Sequence, residues 1–409
     1  MRTKKEKYSI VIFLILFLAL FSTQYYQFQL SPIAPRLMEA LHLTQGEYSA
    51  IYSANMWPSV FLGILAGILA DRLGVKKISV PAMLIAAAGL LIRPFANSFP
   101  LFYICTCMAG FSGAFISVNM AKLLGGWFPL SKVPKMLGSV MAGNTVGMIL
   151  GLGTTAMLPG ITFAFWLSAV ITAVITVIWI IFMKDGPGVP EEGESAPPPK
   201  QAAPIIESLK VSLKSRNVWI AAIALMFLMG GDIAFISFLP TALGTRGINE
   251  NLAGILTMIS TTGNLVGTFV GPTVMSKFKR TPPFMLAFGL ICTVSVAFAW
   301  KLPVPVIIIP LFLAGVSFGF TVPTFMSYPA MMPEVGPLYA GTAGGIIGTI
   351  ELLGAIIIPT YVITPIAGMD FTLFYILAGG CMLISTILSM FLPNLYKYHK
   401  GGKAAAPRS

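Results

Sequence analysis

The chain has 409 residues, of which 56% are hydrophobic and 10% charged, and its mean hydropathy is +0.86. Soluble globular chains carry about 25% charged and about 45–50% apolar residues, so this composition excludes a cytosolic enzyme, a secreted domain and a nucleic-acid-binding module. The net charge of +12 does not restore a nucleic-acid partner, because the basic residues cluster in short segments between apolar runs, as membrane topology imposes.

About 20 apolar residues cross the hydrocarbon core as a helix. Twelve such stretches are predicted, near 9–31, 48–70, 78–97, 101–125, 136–158, 162–183, 217–241, 251–275, 283–301, 305–330, 339–364 and 371–392. The first runs from Ile10 through Phe21 into Gln24-Tyr25-Tyr26-Gln27 without a small-residue cleavage pattern, so it reads as a span and not as a cleaved signal peptide. Polar side chains at that depth need partners or a wet cavity, and Tyr25 with Gln29, like Gln24 with Phe28, share a helix face. Tyr25 or Tyr26 can donate a hydrogen bond to an anion; an aromatic belt at the membrane boundary accounts for the same residues. Between the sixth and seventh spans lies a polar linker, 184–216, with Glu191-Glu192-Gly193-Glu194 and Pro197-Pro198-Pro199. It cannot bury enough apolar surface to fold alone, but Ile205 to Lys214 is expected to form a short amphipathic surface helix. The chain therefore divides into a six-helix bundle over 1–183, the linker, a second six-helix bundle over 217–393 and a basic tail over 394–409. Every Lys and Arg except Arg36, Arg93, Arg246 and Lys301 falls on one side of this arrangement, which assigns both termini to the cytoplasm. Arg36 and Arg93 are expected at the external boundary, steering anions or anchoring the interface.

The two halves share patterns. Gly63 and Gly67 precede a basic loop with Arg72, Lys76 and Lys77, and Gly267 and Gly271 precede Lys277, Lys279 and Arg280 at an offset of 204 residues. Asn144 to Gly147 aligns in the same way with Glu351 to Gly354. Small residues spaced by four also recur wherever membrane helices pack closely, but their coincidence with the midpoint favours duplication.

The segment Gly67-Ile68-Leu69-Ala70-Asp71-Arg72-Leu73-Gly74-Val75-Lys76-Lys77 resembles the loop signature between helices 2 and 3 of the major facilitator superfamily, departing at Val75 where a basic residue is usual. The resemblance implies an all-α membrane fold of twelve helices in two bundles with cytoplasmic termini. It also implies a conformational latch built from Gly67, Asp71, Arg72, Gly74 and Lys76, with Asp71 and Arg72 holding the outward-facing state. For Lys76 and Lys77 a tight turn with positive-inside charges is the preferred reading; for Asp71 it is the latch. Gly126-Trp127-Phe128-Pro129, Gly138 and Ala142 to Gly147 resemble a pattern of several anion-porter branches of that family. Ser131-Lys132-Val133-Pro134 stands where those branches carry a Glu-Arg-Gly element. No arginine lies within the second or eighth span, so nitrate itself is not expected.

Ionisable residues inside the bilayer are costly and mark cavities or partners. Asp232, in the seventh span, and Glu351, in the eleventh, both fall near the midplane. The resemblance implies that the first, fourth, seventh and tenth spans line the central cavity, which favours Asp232 as a proton or cation site. Lys122, Asn119, Asn144 and Tyr328 complete the polar candidates; Lys122 can equally snorkel to the interface. The cysteines (Cys105, Cys107, Cys292, Cys381) all lie in apolar segments, and His42 and His399 lie outside the spans. No metal site, cofactor or nucleophile constellation is therefore expected, and the chain does not read as an enzyme. Nor is there a phosphate-binding loop for an ATPase.

These readings converge on a secondary transporter, working as a monomer in the cytoplasmic membrane of a prokaryote. Its partners are a small-molecule substrate, protons and the lipid bilayer. The expected substrate is a small organic anion or other polar metabolite. Proton-driven export of lipophilic or cationic compounds is the first alternative, and a transporter-like sensor that binds without moving its ligand is the second.

Overall fold

The computed structural model describes residues 4–129, 132–186, 205–332 and 334–394, and every regular element among them is helical. In chain order these are α1 (Lys4–Phe28), α2 (Ala34–Ala40), α3 (Gln45–Ser53), α4 (Trp57–Leu73), α5 (Val75–Ile92), α6 (Phe99–Trp127), α7 (Val133–Thr154) and α8 (Ile161–Phe182). There follow α9 (Ile205–Lys214), α10 (Arg216–Gly244), α11 (Glu250–Phe278), α12 (Pro282–Phe298), α13 (Val304–Met331), α14 (Gly336–Ile357), α15 (Thr364–Ala367) and α16 (Phe371–Ser389). Most of the polar linker and the whole tail from Leu395 lie outside the described residues.

Among the described residues, eleven helices are long and apolar enough to cross a membrane. The remaining predicted span, 48–70, is helical but broken: a 3-10 turn, Ala54–Met56, separates α3 from α4. Pro58, in the first turn of α4, has no N–H to offer the Ala54 carbonyl, so the ladder cannot run through. A second irregularity extends α14. Residues Ile358–Ile363 form a π-helical segment, and Pro359 again withholds an N–H. The Thr364 hydroxyl donates to the Pro359 carbonyl at 2.7 Å and satisfies part of what the widened turn leaves open.

The helices expose large apolar side chains, among them Phe61 (68%), Phe269 (66%) and Ile309 (64%). A soluble protein would bury such residues; a helix wetted by lipid does not need to. Inside, a core cluster gathers side chains of α1, α5, α6, α7 and α8 around Trp179, whose indole N–H donates to the Ser79 hydroxyl at 2.9 Å.

Glycines set the closest helix seams. A Cβ at Gly143 or Gly147 would strike the Phe17 or Phe21 carbonyl, so α7 lies directly on the α1 backbone. Gly354 of α14 meets the Met226 carbonyl of α10 in the same way. Gly263 and Gly267 press α11 onto the backbone of α13 at Phe312 and Val316, and Gly67 packs α4 on Val118 of α6 at 3.6 Å. First against fifth span and seventh against eleventh, second against fourth and eighth against tenth: the seams repeat between the halves, as duplication requires.

By contact the chain forms two compact units. One comprises Met1–Lys200, Ile236–Thr261 and Pro359–Met369; the other comprises Gln201–Phe235, Thr262–Ile358 and Asp370–Ser409. Below, the near end of a helix bundle is the end where α1 begins and the far end is where α1 finishes.

Candidate transport site

In the second unit, Gly230-Gly231-Asp232 sits mid-way along α10. Gly230 lets α10 approach the Gly354 carbonyl of α14, and Gly231 lets it approach Cys381 and Met382 of α16. Asp232 comes next and is buried (8% exposed), within electrostatic reach of Cys292 on α12. Glu351 lies one turn before Gly354 and is buried to the same degree (7%). Neither carboxyl meets a cation within ion-pair distance among the described residues, whose ion pair, Arg36 with Glu250, lies in the first unit. The hydroxyls of Ser317, Tyr328, Tyr375 and Ser385 are buried without partners among the described residues. Leu228, Cys292, Thr321, Phe325, Met382 and Ser385 surround a packing gap in the same unit that is too small to hold a water and that neither carboxyl borders.

In the first unit, the far half of α1 is buried against its neighbours. The Tyr26 hydroxyl donates to the Ala109 carbonyl of α6 at 2.9 Å. Tyr25 stacks on Phe21 at 5.7 Å, beside Thr154 and Thr155. Gln24 lies against Gly147 of α7. Gln27 accepts from the Asn55 amide at 2.8 Å. Asn144 of α7 keeps a buried carbonyl oxygen without a partner.

Arg93 lies just past the end of α5, at the end of its span as the sequence reading has it, but it is fully buried (0% exposed) rather than open to steer anions. Its guanidinium donates to the Ser168 hydroxyl at 3.0 Å and to the Tyr26 carbonyl at 3.4 Å, and lies 4.6 Å from the Phe165 ring centre. Tyr26 is in the last turn of α1, where carbonyls lack intrahelical donors. The cation therefore caps the negative end of that helix, and the Phe102 and Phe165 rings flank it. The sequence signal was the placement of Ile92-Arg93-Pro94-Phe95, apolar on both flanks.

At the near end, the Asp71 side chain lies outside the described residues and Arg72 is exposed. The rest of the loop has a clear construction. Gly74 has φ 86° and ψ 152°, a region open in practice to glycine alone. Helix α5 begins directly after it without a capping side chain of its own. Asp185 supplies the cap from the start of the linker, accepting the Val75 and Lys76 N–H groups at 3.1 Å each. A Cβ at Gly74 would lie 2.6 Å from that carboxylate. Gly74→Ala is thus expected to lower stability by about 1–3 kcal/mol, read as a fall in melting temperature of the detergent-solubilised chain. Nearby, Lys122 donates to the Ala70 carbonyl at 2.6 Å, capping the end of α4, and Asn119 donates to the Ala66 and Phe115 carbonyls. The Trp127 indole donates to the Lys184 carbonyl at 2.9 Å, which ties the Trp-Phe-Pro segment to the linker.

At the far end, the last turns of α10 and the first turns of α11 join the first unit. Ser31 donates to the Ile236 carbonyl at 2.6 Å, Tyr48 to the Ser237 carbonyl at 3.3 Å, and Ser49 pairs with Thr360 at 3.0 Å. Arg36 meets Glu250 at 2.7 Å. Arg36 is therefore engaged with a carboxylate rather than free to steer anions. Both side chains are about one-third exposed, so the pair contributes roughly 0–1 kcal/mol, and Arg36→Ala should change the thermal midpoint by no more than a few degrees. Thr44 and Glu47 form a capping box at the start of α3. The Thr44 backbone N–H, then its hydroxyl, hold the Glu47 carboxylate below its ordinary value. That contribution is complete above the ordinary glutamate range and is lost as pH falls through the lowered value.

Two glycine-sealed helix arrays with an apolar exterior, the second holding two buried carboxyls, fit an integral, multi-pass membrane protein of the transporter class. The Major Facilitator Superfamily model matches residues 12–359, and the chain belongs to that family. It is similar to "Probable sulfoacetate transporter SauU" of Cupriavidus necator, at 22% identity, covering 90% of this chain and 89% of that one. It is also similar to the bacillibactin exporter of Bacillus subtilis, at 24% identity, covering 90% and 92%. Among solved structures it resembles the nucleoside transporter NupG, with a TM-score of 0.76 and 15% identity over 94% of this chain and 99% of that one, a likeness of fold. Members of the family are secondary transporters, not enzymes.

Proposed function

We propose that the chain moves a small organic anion or other polar metabolite by alternating access, coupled to protons through Asp232 and assisted by Glu351. One observation carries the reading: among the described residues the only buried charged side chains are Arg93, Asp232 and Glu351, and both carboxyls lack a cation. A carboxyl removed from water and from counter-charges exchanges a proton rather than hold a bare charge, which suits a coupling site. Tyr328 and Asn144 have unpartnered polar atoms to offer a substrate, whereas Tyr26, Asn119 and Lys122 already serve carbonyls. Tyr25 and Gln24 remain candidates on α1. Asp71 and Arg72 act as the latch at the cytoplasmic end, with both termini on that side of a prokaryotic cytoplasmic membrane. The chain works as a monomer.

The similarity to a sulfoacetate transporter supports an anionic substrate. The second reading is export of lipophilic or cationic compounds, and the similarity to a bacillibactin exporter supports its direction of transport. A ligand that binds the folded state raises the melting temperature. The test is thus a thermal-shift panel of sulfonates, carboxylates and lipophilic cations on the purified chain. Stabilisation by small organic anions supports the first reading; stabilisation by lipophilic cations alone replaces it with the second.

A further inference from the structure

Helix α9 is the strongly amphipathic helix among those described, and it is turned the unusual way round. Its protein-facing side is polar: Ser208 and Ser212 are buried, as is Ser215 just beyond. That side packs on α14, and the Tyr339 hydroxyl donates to Glu207 at 2.9 Å. The side left bare is apolar and net basic, with Glu207 as its exposed acidic residue. Leu209 and Leu213, one turn apart, are each 43% exposed, and Lys210, Lys214 and Arg216 are exposed beside them. The stripe does not stop at α9. The Trp219 indole donates to the Leu213 carbonyl at 2.9 Å, and Trp219 and Ile223 continue the exposed apolar line along α10, a membrane-crossing helix.

A helix that docks by serines and leaves leucines outside has a partner for those leucines that is not its own bundle. Continuity with the lipid-facing side of α10 identifies that partner as the membrane interface, where tryptophan is enriched and leucines sink to the headgroup–acyl boundary. The cations on the same bare side match anionic headgroups. We propose that α9 is an interfacial lipid-binding helix, with Leu209 and Leu213 among acyl chains and Lys210, Lys214 and Arg216 on the phosphates of anionic phospholipid. This does not depend on which solute the chain carries.

The test uses the full chain in nanodiscs of phosphatidylcholine with and without phosphatidylglycerol. Nitroxide labels go on Leu209→Cys and Leu213→Cys, with Glu39→Cys as an exposed control. The background is Cys107→Ala, since the other native cysteines are buried. The expected oxygen-to-nickel-chelate accessibility ratio at 209 and 213 is several-fold above that at 39. It should rise with phosphatidylglycerol, and Lys210→Gln with Lys214→Gln should remove that rise. Ratios at 209 and 213 equal to the control would overturn the proposal and leave the face to water or a soluble protein. Burial indifferent to phosphatidylglycerol, or a rise that survives loss of both lysines, would overturn the anionic-headgroup contact.

Discussion

Asp232→Asn is expected to cut uptake driven by a pH gradient about tenfold or more, while exchange of substrate across the membrane continues. The substitution keeps the volume of the side chain, so the seams that Gly230 and Gly231 make with α14 and α16 stay intact. What it removes is the ability to take up and release a proton. Transport in reconstituted vesicles, with counterflow measured beside net uptake, separates the two. Glu351→Gln, one turn before Gly354 on α14, should have a smaller effect, since Asp232 is the principal coupling group of the proposal. Gradient-driven uptake undiminished in Asp232→Asn would remove it from the mechanism, whatever the substrate.

The second large effect is structural. Gly147→Leu should destabilise the first unit by about 3 kcal/mol, because a side chain there runs into the Phe21 carbonyl and the Gln24 side chain of α1. Neither obstacle is cheap to move: one is helix backbone, and the other stands on it. Gly138→Leu on the same helix is the control. Nothing lies within 4 Å of the space its Cβ would occupy, and replacing glycine in a helix gains up to about 1 kcal/mol. Melting temperatures in detergent should therefore fall for the first and hold or rise for the second. Equal behaviour would mean that α1 and α7 do not meet at this seam.

Much of the architecture was legible because membranes make one-dimensional demands. Span length and apolarity gave the helices, and the amphipathic stretch in the linker appears at Ile205–Lys214 as its pattern predicts. The paired glycines of each half carry the close seams. What escaped depends on neighbours that no single segment shows. The break in the second span needs Pro58 and the Ala54 carbonyl together. Arg93 reads as a boundary residue from charge position alone, yet it is buried because a helix end, a serine of α8 and two aromatic rings converge on it. Gly74 reads as part of a loop signature, but the partner that makes it necessary, Asp185, lies 111 positions on at the start of the linker. The two carboxyls were visible as charges in apolar runs; their lack of a cation within ion-pair distance was not.

The measurement that tests the account most directly is uptake of a labelled small organic anion, such as a sulfonate or carboxylate, into proteoliposomes under an imposed pH gradient. The account predicts accumulation above equilibrium that collapses when a protonophore dissipates the gradient. Anion movement that ignores the gradient, or movement of lipophilic cations with none of anions, would contradict it.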